Sequence, residues 1–118
     1  MNDADRLSLR RVNLTIYQGE TYKHTFRYRD EFNQVINLEG WSARLQVRSS
    51  PSSELILYTA AGHMTVDGIR GEVKLVIPAT VTAGWTWRSG VYDSEIFFDT
   101  EVEKFVYGSV RVKPEITR

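Results

Sequence analysis

The sequence predicts an all-β chain, folded as an immunoglobulin-like or related two-sheet antiparallel β-sandwich of about eight strands. Apolar and polar residues alternate with period two in one segment after another, and no window of a dozen residues carries an apolar stripe at i, i+3, i+4 and i+7. Short polar segments bearing glycine or proline separate these runs. The 118 residues suffice for one core and not for two. A single domain over residues 11–118 is therefore expected, preceded by a flexible arm over residues 1–10.

The first strand is read at Val12 to Ile16, with Val12, Leu14 and Ile16 on one face; Gln18, Gly19 and Glu20 then supply turn chemistry, and a hairpin is expected to follow. From Tyr22 to Arg29 one face carries Tyr22, His24, Phe26 and Tyr28 and the other Lys23, Thr25, Arg27 and Arg29, which suits a sheet with one packed and one wet surface. Asp30 to Gln34 reads as a polar turn. Beyond Gly40 and Trp41, the residues Ala43, Leu45 and Val47 alternate with Arg44, Gln46 and Arg48 in the cleanest strand of the chain. Pro51 lacks a ladder donor and serines flank it on both sides, so an exposed loop is expected there. Three strands follow, Leu55 to Thr59, Met64 to Val66 and Glu72 to Ile77, separated by turns containing Gly62 and then Gly68 and Gly71. Pro78 near the start and Gly84 past the end allow one helical turn, against the β-branched Thr80, Val81 and Thr82. Two long strands, Val91 to Phe98 and Lys104 to Lys113, flank an acidic turn over Asp99 to Glu103, and Pro114 stops the last ladder.

Composition narrows the function. Fifteen Lys and Arg balance fifteen Asp and Glu, so no global positive field holds a polyanion, and a nucleic-acid partner is not expected. The absence of cysteine excludes disulfides, thiolate catalysis and cysteine-ligated metals. The amino terminus carries acids where a signal peptide needs a basic flank and an apolar run, and no stretch approaches the roughly 20 apolar residues of a membrane helix. Synthesis in the cytoplasm and no membrane partner are the expectations.

No enzyme motif emerges. His24 and His63 lie in no metal-binding spacing, and the preferred reading of His24 is a hydrogen-bonded or rim histidine between Tyr22 and Phe26. Asp93 and Glu95 share one strand face, as paired carboxylates for glycoside hydrolysis would, although a solvated face with Tyr92, Ile96 and Phe98 packed inward explains them more simply. The glycines stand singly at turns, so no phosphate loop or nucleophile elbow can be read. No catalytic residue, cofactor or metal is expected.

Candidate interaction residues fall into three groups. Trp41, Trp85 and Trp87 could stack sugar rings, but core lids or interface anchors are preferred, and an extended Trp85-Thr86-Trp87 puts both rings on one side. Lys23, Arg27 and Arg29 share a basic strand face, whereas Asp93 to Glu103 holds five acids, with Asp99, Glu101 and Glu103 in the turn. Such patches could bring copies together head to tail, or simply be solvated faces of opposite sign, paired across one sheet.

Several segments taken as an ordered set resemble a known family. They are Leu14 to Thr21, Leu38-Glu39-Gly40-Trp41 running into Ser42 to Arg48, Gly90 to Glu95, and Gly108 to Arg118. Together they resemble the small β-sandwich structural proteins of tailed phages and prophages, similar to the amino-terminal domain of baseplate upper proteins. The resemblance runs from about Arg11 to the end. It departs where that family has a short acidic and alanine-rich helical turn and this chain has Thr80-Val81-Thr82 and a tryptophan-rich loop. It implies a non-enzymatic virion component, made in the host bacterial cytoplasm and present in multiple copies. Such an adaptor joins or anchors neighbouring tail, neck, baseplate or tail-fibre proteins. The alternatives are a capsid decoration protein and a carbohydrate-binding module for the host surface.

Overall fold

A computed structural model describes residues 9–117. Nine strands and one short helix follow in order among them: β1 (Arg10–Arg11), β2 (Leu14–Tyr17), β3 (Tyr22–Arg27), β4 (Ser42–Arg48), β5 (Ile56–Thr59), β6 (Met64–Asp67), β7 (Glu72–Ile77), α1 (Ala79–Ala83), β8 (Ser89–Phe98) and β9 (Glu101–Lys113). The larger sheet runs β1-β9-β8-β4-β5, with β2 beside β9 on the β1 edge, and the smaller sheet runs β3-β7-β6. The predicted class, a two-sheet β-sandwich, is the observed one.

Alternation builds the core. Leu14 and Ile16 of β2, Leu45 and Val47 of β4, Tyr92 and Ile96 of β8, and Val106, Val110 and Val112 of β9 are buried on the larger sheet. Phe26 of β3 and Val73, Leu75 and Ile77 of β7 are buried on the smaller one. All belong to one continuous apolar cluster. Each such side chain contributes about 1.5–3 kcal/mol on burial, which explains how a chain without disulfides holds two layers together.

Two irregularities set the shape of the larger sheet. Ser94 pairs with Val106 but Glu95 pairs with Lys104, so Phe105 is the extra residue of a β-bulge. The bulge turns Phe105 inward beside Val106, and its ring meets those of Phe26 at 5.7 Å and Tyr28 at 5.8 Å. The second irregularity separates β1 from β2. There Val12 N–H donates to the Tyr107 carbonyl at 2.8 Å, and the Asn13 side chain accepts from Ser109 N–H at 3.1 Å in place of a ladder partner. The Tyr92 hydroxyl donates to the Val12 carbonyl at 2.6 Å. Gly108 faces this kink, and a Cβ there would run into the Val12 carbonyl, so the edge closes only around glycine.

Several expectations are corrected. The turn at Gln18-Gly19-Glu20 does not close a hairpin: β2 pairs with β9 and β3 pairs with β7, so this turn carries the chain from one sheet to the other. Alternation reports which face is buried, not which strand is the neighbour. Nor is the sandwich wholly antiparallel, since β1 and β2 run parallel to β9. The acidic turn shrinks to Asp99 and Thr100, because Glu101 and Glu103 already pair with Phe98 and Ile96. Phe98 is 47% exposed instead of packed inward. Of the expected arm over residues 1–10, residues 1–8 lie outside the described residues, while Arg10 pairs with Val106 and so belongs to the sheet. The helical turn is present as α1, with Pro78 before it and Gly84 closing it.

Candidate interaction site

The sandwich has two ends of different character. The turns joining β2 to β3, β5 to β6 and β7 to β8 meet at one end together with the residues after β9. The β3–β4 connection and the β6–β7 and β8–β9 turns meet at the other.

At the first end the tryptophan loop is folded inward. Trp85 is 9% exposed, and its ring lies 4.7 Å from that of Trp87 and 5.2 Å, edge on, from that of Tyr58. The two indoles fall on one side, as an extended Trp-Thr-Trp requires, but that side faces the core. Polar bonds fasten this lid. Thr82 is fully buried; its hydroxyl donates to a carbonyl, with Glu20 at 2.9 Å and Ala79 at 3.2 Å, and accepts from Gly19 N–H at 3.0 Å. The Gln18 amide donates to the Trp85 carbonyl at 2.9 Å and accepts from Glu115 N–H at 3.0 Å. One side chain thus ties the loop to the end of the chain. Tyr58 Oη and His63 Nδ1 are 2.6 Å apart, and burial raises the Tyr58 phenol well above its ordinary value.

Trp41 is not part of this cluster. It precedes Ser42, which pairs with Phe97, whereas the tryptophan loop precedes the segment of β8 that pairs with Arg48, at the far end of β4. Seven strand residues, roughly 20 Å, separate the two places. Trp41 is half-buried and packs against the exposed Phe98 ring at 5.8 Å. A three-indole sugar platform is therefore not assembled.

Around Trp41 the second end takes shape. Leu38 N–H donates to the Gly68 carbonyl at 2.8 Å and Tyr28 N–H to the Gly71 carbonyl at 2.7 Å, which locks the β3–β4 connection onto the β6–β7 turn. Phe98 at the end of β8 lies against Gly40. From this frame project Phe32 at 74% exposure, Ile69 at 73% and Val102 at 51%. The same connections and strand ends carry the acids Asp30, Glu31, Glu39, Asp67, Asp99, Glu101 and Glu103, against Arg29 and Arg70. The Tyr28 hydroxyl donates to Glu103 at 3.1 Å, and Asp67 faces Arg70 at 3.8 Å. Glu31, Asp99 and Glu101 form no ion pair among the described residues. Sequence reading assigned Asp99, Glu101 and Glu103 to an acidic patch but missed Phe32, Ile69 and Val102. Their signal was apolar residues inside polar turns.

The basic face lies on the other sheet. Lys23 and Arg27 project from the solvent side of β3, with Arg29 just beyond its end. Arg27 reaches Glu72 at 3.4 Å, and Arg10 donates to the Arg27 carbonyl at 3.1 Å. The basic and acidic groups are thus not partners across one sheet. Asp93 and Glu95 form a separate group on the outside of β8, where Lys104 bonds Glu95 at 2.7 Å and Asp93 at 3.2 Å, and Arg44 bonds Glu95. Burial pushes the Glu95 carboxyl up, but the hydrogen bonds from Lys104 and Arg44 outweigh it and hold the group below its ordinary value. A general acid for glycoside cleavage needs the opposite shift.

No group of three or more His, Cys, Asp or Glu able to hold a metal ion occurs among the described residues. No helix among them is long and apolar enough to cross a membrane. No protein-family model matches the chain. No curated protein matches it either.

Proposed function

We propose that this chain is a non-enzymatic structural component of a tailed-phage virion, an adaptor that joins or anchors neighbouring tail, neck, baseplate or tail-fibre proteins. The observation that carries the reading is the set of large apolar side chains Phe32, Ile69 and Val102, which stand exposed at one end of the sandwich together with Glu31, Asp99 and Glu101, acids that form no ion pair among the described residues. Exposed apolar groups rimmed by polar ones suit a protein contact. The ordered segments that resemble phage sandwich proteins support the same reading, and they say what kind of assembly the contact would serve. Capsid decoration is the variant in which the partner is the head lattice.

Light scattering of the purified chain, alone and after mixing with particles that lack it, tests the proposal. Attachment to tails or heads in a fixed stoichiometry is expected, and the particle that takes up the chain separates adaptor from decoration. A chain that ignores both particles but changes its tryptophan fluorescence with host glycans would replace this reading with carbohydrate recognition.

A further inference from the structure

We infer that the acidic, apolar-tipped end docks onto the basic β3 face of a second copy of the same chain, head to tail. The inference deepens the adaptor reading and rests on it for its biological setting. The occupant is identified by charge. Seven acids stand at the one end against Arg29 and Arg70, whereas Arg10, Lys23, Arg27 and Lys74 lie on the other surface, where Glu72 pairs with Arg27 and Lys74. Lys23 has no ion pair among the described residues, as Glu31, Asp99 and Glu101 have none. On these two surfaces the groups without an internal ion pair among the described residues are thus opposite in sign. With a formal net charge of zero, copies feel no overall repulsion. Phe32 and Ile69 add exposed apolar area at the acidic end, and a contact that covered them would gain from excluding water.

The two surfaces differ, so the contact is heterologous: each copy offers one acidic end and one basic face. Such a contact generates a ring if its rotation closes and a filament if it does not.

The test is sedimentation or light scattering over a concentration series in low salt. The mass is expected to rise above the 13.6 kDa monomer with concentration and to fall back at about 0.5 M salt, where exposed charges are screened beyond a few ångströms. Two double variants keep the fold, checked by circular dichroism: Glu31→Lys with Glu101→Lys on the end, and Arg10→Glu with Lys23→Glu on the face. Each alone is expected to associate at least about tenfold more weakly than the natural chain. Mixed one to one, they restore association, because each supplies the surface the other has lost. A natural chain that stays monomeric to about 1 mM overturns the inference. So does a pair of folded variants that associates undiminished when separate, or fails to reconnect when mixed. A chain that is monomeric yet still attaches to particles overturns this contact and leaves the adaptor reading standing. A chain that associates but ignores particles does the reverse.

Discussion

The tryptophan loop and the turns of the acidic end hold their large apolar side chains differently. At the tryptophan end, Trp85, Trp87 and Tyr58 pack on one another and Thr82 and Gln18 fasten the loop over them. At the acidic end, Phe98 packs on Trp41 and is itself half exposed, while Phe32 and Ile69 are about three-quarters exposed. The difference teaches that residue type does not mark a binding surface. A tryptophan whose loop is tied down by hydrogen bonds belongs to the core, and a phenylalanine at a turn tip stands in water.

Four perturbations sharpen or break this contrast. Trp85→Ala empties the lid and is expected to destabilise the chain by about 3–5 kcal/mol, read as the shift in urea midpoint; a loss under about 1 kcal/mol would mean that the loop is not part of the core. Gly108→Ala forces the β1–β2 edge away from the Val12 carbonyl and should lose about 1–3 kcal/mol. A comparable loss is expected for Thr82→Val, which leaves the Gly19 N–H without its acceptor and the Glu20 carbonyl without its donor. At the acidic end, Phe32→Ser and Ile69→Ser should change stability by less than about 0.5 kcal/mol while weakening particle attachment. Equal destabilisation at both ends would erase the distinction.

A fifth and subtler expectation concerns pH. Burial, and then the nearby Arg27 charge, lower the His24 pKa from its ordinary 6.5, so the unfolded chain binds that proton more readily and stability declines as pH falls below 6.5. Glu95 lies below its ordinary 4.5, and the stability it contributes is present above that value and lost as pH falls through its lowered one. Lys104 is raised above its ordinary 10.5, mainly by its hydrogen bond to Glu95, so its contribution holds below 10.5 and fades at higher pH. The urea midpoint should therefore be flat from about pH 7 to 9 and fall on the acid side in two steps. Glu95→Gln should remove the lower step and leave the upper one in place.

Much of the fold was legible in the sequence because burial has the period of the strand. The inward faces Leu45 and Val47, Phe26 and Tyr28, and Val110 and Val112 are where alternation puts them. Neighbour choice was not legible. Nothing in Leu14 to Tyr17 says that it lies parallel to β9, a pairing that depends on Asn13, Gly108 and Tyr92 meeting across the chain. The bulge at Phe105 was equally hidden, since an inserted residue reverses the faces behind it and moves Glu101 and Glu103 from turn into strand. The candidate interaction residues were legible as types and not as places: Trp41 is separated from Trp85 by the length of β4, and the acids from Asp93 to Glu103 are divided between an ion-paired group on β8 and an open end beyond it.

Amide hydrogen exchange of the chain, free and bound to particles that lack it, tests the central claim most directly. The account predicts slowed exchange on binding in residues 30–36, 67–71 and 98–102, with residues 80–88 unchanged. Protection confined to residues 84–88 and the neighbouring β5–β6 turn would contradict it and make the tryptophan end the binding surface.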